Sequence, residues 1–222
     1  FEAGVSVARS VASALGVPYY ETTHQENHIM AASNGVFEHD FYAVHLSGGT
    51  TELLYVKPLQ TGFDVKIVSA TEDISFGKLV DRIGVRLGLD FPAGKALECE
   101  AKKGKAVFVP KIKLYSGNIC LSGAEKQFMD ACDAYSREDI AASLFDYIGK
   151  LLSKWIGYNA EPQNDVLFAG GVASNKIIRG IIESSKELEN IRCHFADPDL
   201  CRDNAVGTAL IGVKKYKAEH EI

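Results

Sequence analysis

The sequence is poor in several features that would have placed it quickly. It has no apolar run near the roughly 20 residues that a membrane-spanning helix needs. Its first stretch, Phe1 to Gly16, is amphipathic, without the basic start and small-residue cleavage site of a secretory signal. The five cysteines include no CxxC pair, and an odd number fits a disulfide framework badly. Reduced thiols in a cytoplasmic protein without membrane attachment are the expectation. Basic charge is not in excess: the formal net charge is -5, which argues against a strongly basic nucleic-acid binder acting alone. Low-complexity segments and repeats of solenoid period are also missing. The first residue is Phe rather than Met, so the expectation is a fragment or a processed product.

What is present is an ordinary globular balance, 46% hydrophobic and 24% charged over 222 residues, enough for one large domain or two modest lobes. Val5 to Leu15 has helical spacing and stops at Gly16-Val17-Pro18. Tyr19 to Thr22 reads as a short strand and His24 to Ala32 as a helix. Phe41–Leu46, Glu52–Lys57 and Phe63–Ser69 read as an antiparallel meander. Helical periodicity returns at Phe76–Leu87 and Gly94–Lys103. Val107 to Leu121 is compatible with short strands. Ser136, with Asp139 three residues on, opens a long helix to about Tyr158. Asp165–Phe168 reads as a buried strand, followed by a glycine turn and a helix to about Ser184. A strand at Ile191–Phe195 and a helix from Asp203 to Lys214 close the chain. This order defines an α/β fold.

Three segments carry chemistry. His24 and His28, four residues apart on a helix, place two imidazoles on one face, within reach of one ion; two surface histidines would look the same. Asp203 stands at an expected helix start, where it can be an N-cap or a third ligand. Two imidazoles and a carboxylate with open positions suit iron or zinc. Ser47-Gly48-Gly49-Thr50-Thr51 lies between two strands, and Ala169-Gly170-Gly171-Val172-Ala173-Ser174-Asn175 joins a strand to a helix. Glycines in such places either make a tight turn or let backbone amides approach an anion. Neither loop is a GxGxxG fingerprint, and neither has the Lys of a Walker loop.

In order, these segments resemble the motifs of the tRNA threonylcarbamoyladenosine transferase family, the TsaD/Kae type. His24-Gln25-Glu26-Asn27-His28 is similar to its H-x-E-G-H metal motif, and Leu46 to Glu52 to V-S-G-G-H/N-T-Q. Gly77-Lys78-Leu79-Val80-Asp81-Arg82, with Leu87-Gly88-Leu89 behind it, is similar to G-E-A-F-D-K followed by L-G-L. Phe91-Pro92-Ala93-Gly94 through Glu98 is similar to Y-P-G-G-P-x-I-E, and Leu121-Ser122-Gly123 to S-F-S-G-L-K. Ala169 to Asn175 is similar to A-G-G-V-A-A-N, and Leu200 to Asn204 to L-C-T-D-N. The matches span nearly the whole chain. The departures are Asn27 for Gly, Thr50 for His or Asn, Glu52 for Gln, Lys78 for an acidic residue, Ala93 for Gly and Glu125 for Lys.

The resemblance implies an actin-like ATPase (ribonuclease H-like) fold of two lobes, the first incomplete here. Residues 1–37 and 197–222 would be the remainder of the first lobe, and residues 38–196 the second. It implies one divalent metal ion, iron or zinc, held by His24, His28 and Asp203; His45, where the archaeal branch has a Tyr ligand, is an optional fourth. His45, Leu46, Ser47, Gly48 and Gly49 would cradle phosphates or the threonylcarbamoyl group. Asp81 and Glu98 would hold ribose hydroxyls, and Gly94 and Asn175 would line the adenosine pocket. The implied reaction moves a threonylcarbamoyl group from its adenylate to N6 of an adenosine in tRNA, with no covalent protein nucleophile. The implied partners are tRNA, proteins that make the adenylate within a multi-protein complex, and a second copy of the chain. The drifted loops keep two alternatives open: a paralogue with another carbamoyl- or ATP-dependent reaction, and a non-catalytic scaffold. A metalloprotease is disfavoured, because Glu26 is not placed as in HExxH.

Overall fold

A computed structural model describes residues 2–201 and 204–220. Its centre is a five-stranded mixed sheet in the order β3-β2-β1-β4-β5. The strands are β1 (Phe41–Leu46), β2 (Thr51–Leu59), β3 (Gly62–Ala70), β4 (Asp165–Ala169) and β5 (Arg192–Phe195). β1, β2 and β3 form the expected antiparallel meander. β4 runs parallel to β1, and β5 parallel to β4. β1 is buried along its whole length, as befits an apolar strand with helices on both faces.

Side-chain alternation divides β1 between two cores. Tyr42, Val44 and Leu46 face the larger core, with α3 (Phe76–Arg86), α4 (Gly94–Ala101), α5 (Ser122–Ala131), α6 (Arg137–Asn159) and α7 (Lys176–Glu183). Phe41 and Ala43 face the smaller core with Leu54, Val56 and Leu167. There they meet Ile29 and Met30 of α2 (His24–Ser33) and Ile211 of α8 (Val206–His220). The same alternation puts His45 on the α2 side.

Helix starts follow local chemistry. Thr23 and Glu26 form a reciprocal capping box on α2. Ser75 caps α3, and Ser136 accepts from the Asp139 amide to cap α6, as its sequence predicts. α6 is the core's axis: Trp155 is fully buried, and its indole N–H donates to Ser69 Oγ at 2.7 Å and to the Gly117 carbonyl at 2.9 Å.

The structure corrects several expectations. Tyr19–Thr22 forms no strand. α5 is a helix that the sequence reading did not include. Val107–Leu121 forms only isolated bridges at Tyr115, Asn118 and Ile119, and the Val107 and Phe108 amides donate to Ser143 Oγ. α8 starts at Val206 and continues past Lys214 to His220. The five cysteines are free thiols. Among the described residues no helix is long and apolar enough to cross a membrane.

Candidate functional site

The two glycine loops leave the sheet side by side. His45 of β1 is in register with Ala169 of β4, so both loops begin at the carboxyl ends of neighbouring parallel strands. In open α/β sheets that is where ligands bind. In the first loop the Ser47 hydroxyl accepts from the Thr50 amide, and the Ser47 amide donates to the Thr50 carbonyl. The second loop is tied to the first by the Val172 amide, which donates to the Leu46 carbonyl at 3.1 Å.

The glycines divide into two kinds. A Cβ on Gly170, which also has φ +98, would stand 2.2 Å from the Leu46 carbonyl oxygen; one on Gly77 would stand 2.4 Å from the Gly48 Cα. These two glycines let loop pack on loop and α3 pack on the first loop. A Cβ on Gly48, Gly49 or Gly171 would meet no protein atom within 4 Å. Nothing in the packing demands glycine there, and open space beside a bare backbone is what a close-approaching ligand uses.

Beside Gly48 and Gly171 that space is a cavity of about 570 Å³, lined also by Asp81, Gly94, Glu98 and Asn175; Gly49, His45 and Ser47 are not in its lining. The starts of α3, α4 and α7 all reach it. Ala93 supplies no side-chain cap to α4, so the first α4 amides lie beside the cavity. Helix N-termini favour negative charge. Asp81 Oδ1 accepts from the Ala93 amide at 2.8 Å, and Glu98 Oε1 from the Lys176 amide at 3.2 Å. Each carboxylate is thus fixed through one oxygen and keeps another for a ligand. Asn175 Oδ1 caps α7 through the Ile177 and Ile178 amides, leaving its side-chain NH₂ as a donor. The sequence reading missed Lys95, Phe145, Pro198 and Asp199 in the lining. Phe145 was hidden because it reads as core; Lys95 could have been found from its place one residue after Gly94. The Leu46 side chain is wholly in the core, so only its backbone belongs to the site.

The histidines gather beside the first loop. His24 Nε2 and His28 Nε2 are 3.2 Å apart. Two imidazoles bound to one ion at about 2.0–2.1 Å with tetrahedral angles hold their nitrogens about 3.3 Å apart, so this pair fits a shared metal. The His45 ring lies 4.6 Å from that of His28 and 6.4 Å from that of His24. Asp203 lies outside the described residues, among which no group of three His, Cys, Asp or Glu side chains has metal-ligand geometry. Glu26 is occupied elsewhere: its Oε2 accepts from the Thr23 amide and hydroxyl. It is a capping residue, not a free base beside the imidazoles. Asp73 braces the rim of the larger core. Burial pushes its carboxyl up, but the Leu121 and Ser122 amides outweigh that and hold it below its ordinary value.

A mixed sheet of this order, with a cleft of about 570 Å³ at its carboxyl edge, defines an α/β protein of the actin-like ATPase fold. Among solved structures, HypF from T. kodakarensis superposes with a TM-score of 0.71 at 16% identity, over 96% of this chain and 39% of its own. The activator of the 2-hydroxyisocaproyl-CoA dehydratase from Clostridium difficile superposes with a TM-score of 0.56 at 18% identity, over 91% and 72%. At these identities the likeness shows the fold alone. The family follows from sequence: residues 2–210 match the model of TsaD, tRNA N6-adenosine threonylcarbamoyltransferase, and the chain belongs to that family. Proteins of that name from Pelagibacter ubique and Carboxydothermus hydrogenoformans are 30% and 32% identical to it, each over 96% of this chain. The chain spans about two thirds of these relatives' length, 64% and 66%.

Proposed function

We propose that this chain provides the donor site of a tRNA N6-adenosine threonylcarbamoyltransferase. The observation that carries the reading is the convergence of Gly48, Gly171 and Asn175 with Asp81 and Glu98 on one cavity, with the His24–His28 pair packed against His45 just before the first glycine loop. Asp81 and Glu98 accept hydrogen bonds from the ribose hydroxyls of threonylcarbamoyl-adenylate. Gly94 and Asn175 border its adenine. The bare backbone of Gly48, Gly49 and Gly171 and the uncapped start of α4 face its phosphate. The acceptor N6 forms a bond to the carbamoyl carbon. The bond from that carbon to the phosphate oxygen breaks, and AMP departs with the electron pair. The N6 proton is lost to water.

His24 and His28, with Asp203 as a third ligand and His45 as an optional fourth, would hold one iron or zinc ion, which when bound supplies Lewis-acid polarisation. The assignment of residues 1–37 and 197–222 to one lobe and 38–196 to another belongs to the same proposal. α2 and α8 share the smaller core with β1, β2 and β4, so these two helices pack directly on the sheet of residues 38–196. The exposed Val7, Val11 and Leu15 of α1 (Glu2–Leu15) suit a protein partner, either one that makes the adenylate or a second copy. A cytoplasmic location follows from the tRNA substrate.

The test is the complete gene, with its partners, in cells depleted of their own transferase, read by mass spectrometry of threonylcarbamoyladenosine in total tRNA. The modification is expected to return, and to fail with His24→Ala and Asp203→Ala. Its absence with soluble protein present would leave the second reading, a paralogue acting on another carbamoyl or nucleotide substrate. The drift at Thr50 and Glu52 in the first glycine loop favours that alternative.

A further inference from the structure

A second cavity, of about 690 Å³, shares Gly48 and Asp81 with the first. Its lining combines cations with apolar surface: Lys78, Arg82 and Arg86 alongside Val85, Phe91 and Met129. The three cations are spaced i, i+4, i+8 on α3 and so run along one helix face. Phe91 is 74% exposed and Val85 51% exposed, although both are apolar. A large aromatic held in water beside a row of cations is the pairing that single-stranded nucleic acid uses, a stacking surface for bases and charge for phosphates.

The state of the cations sharpens this. Arg82 bridges to Glu125 at 2.9 Å and Arg86 to Asp133 at 2.6 Å. Such surface pairs contribute little and exchange readily for another anion. Lys78 has no ion pair or side-chain hydrogen bond among the described residues, and it lines the second cavity next in sequence to Gly77 of the first. Its amide caps onto Ser75, whose hydroxyl donates to the Gly48 carbonyl, so the ridge is fixed relative to the first glycine loop. Three carboxylates meet this lining: Asp81, which is part of it, and Glu125 and Asp133, the partners of its arginines. Asp81 is engaged with the Ala93 amide and the other two with the arginines.

We propose that this second cavity receives unpaired nucleotides of an RNA strand, a base against Phe91 and Met129 and successive phosphates along Lys78, Arg82 and Arg86. The inference rests on the tRNA reading above and adds to it where the acceptor strand lies: next to the donor, across the Gly48 wall. The exposed Phe91 beside Lys78, the one of the three cations that no carboxylate among the described residues pairs, selects this occupant. A protein segment with an acidic, apolar face is the competitor that the test removes.

The experiment measures binding of a fluorescent RNA stem-loop, its acceptor adenosine in the unpaired loop, to the complete protein with its partners. Variants are Phe91→Ala, Phe91→Tyr and Lys78→Glu, with Lys66→Glu on the edge strand β3 as a charge control. Phe91→Ala is expected to weaken binding about tenfold, and Phe91→Tyr to restore it. Lys78→Glu is expected to weaken binding and to lower the slope of log affinity against log salt by about 0.7. Equal binding by Phe91→Ala and the parent, equal loss in Lys66→Glu, or equal affinity for a fully paired RNA would overturn the inference. So would variants that lose a protein partner while keeping RNA affinity. If the parent transfers the group to tRNA while Phe91→Ala keeps the parent's KM for tRNA, the docking site is wrong and the function stands. If RNA binding behaves as expected but no transfer occurs, the function fails and the docking site stands.

Discussion

Asn27 and Thr208, far apart in sequence, are joined through one oxygen: Asn27 Oδ1 accepts from the Thr208 amide at 2.8 Å and from its hydroxyl at 3.0 Å. Thr208 is the third residue of α8, and its amide is one of those that a helix leaves unsatisfied at its start. The Asn27 side-chain NH₂ donates to the Asn204 carbonyl at 2.9 Å, so a side chain from α2 caps α8. Asn27 stands where the family has glycine, immediately before His28. Asn27→Gly is therefore expected to destabilise the protein by about 1 kcal/mol, despite matching the family. Urea unfolding checks this, and an unchanged midpoint would show that water satisfies α8 equally well.

Asp165 predicts a pH dependence. Its side chain is 5% exposed, yet it accepts from Arg192 at 2.8 and 2.9 Å and pairs with His39 at 2.7 Å and His194 at 2.6 Å. The two Arg192 bonds, above all, hold its carboxyl well below the usual carboxylate range, with the two histidines adding to that against the opposing effect of burial. A depressed folded-state pKa contributes stability that is present above the unfolded value, about 3.9, and is lost as pH falls toward the folded value. Asp165→Asn is expected to cost about 2 kcal/mol at neutral pH and to flatten the stability curve between about pH 5 and pH 2. Guanidinium melts across that range measure it. An unaltered slope would mean that other carboxylates dominate acid unfolding.

The glycine division gives a third test. Gly77→Ala must push a methyl against the first loop's backbone, so it is expected to lower the melting temperature. Gly171→Ala meets no protein atom, so its stability should stay within about 0.5 kcal/mol of the parent. Its affinity for an adenine nucleotide should nevertheless fall several-fold. Calorimetric titration and thermal melts of both proteins separate the two. Unchanged nucleotide affinity in Gly171→Ala would remove the second loop from the site.

The elements that were legible in the sequence are those whose pattern is local. β1 to β4 announce themselves by apolar runs between turns, and α6 by its serine cap. The His24–His28 pair follows from helical spacing alone. α5 was missed because its buried side is only Ala124, Phe128 and Ala131, too few apolar positions to stand out. Tyr19–Thr22 has strand composition but pairs with no strand among the described residues, and a segment without a ladder is a loop. The Asp165 cluster draws His39, Arg192 and His194 from separate segments, so no spacing could announce it. The meeting of the two glycine loops depends on β1 and β4 being neighbours, a fact of topology that the sequence does not display.

Asp81 and Glu98 should fail differently although both line the first cavity. Glu98 takes the Lys176 amide at the start of α7 and pairs with the exposed Lys102 at 3.6 Å. Removing its charge leaves the cavity's shape alone, so Glu98→Gln should weaken adenylate binding about tenfold, the worth of one hydrogen bond to a charged group. Asp81 also fixes the turn before α4 through the Ala93 amide, and it forms part of the wall between the two cavities. Asp81→Asn can turn its amide oxygen to Ala93 and keep the turn, whereas Asp81→Ala cannot. The expected order of nucleotide affinity is parent, then Glu98→Gln and Asp81→Asn together, then Asp81→Ala. Only Asp81→Ala should also lose thermal stability. If Asp81→Asn binds nucleotide as tightly as the parent, the residue is a brace for the turn, and the ribose is held by Glu98 alone.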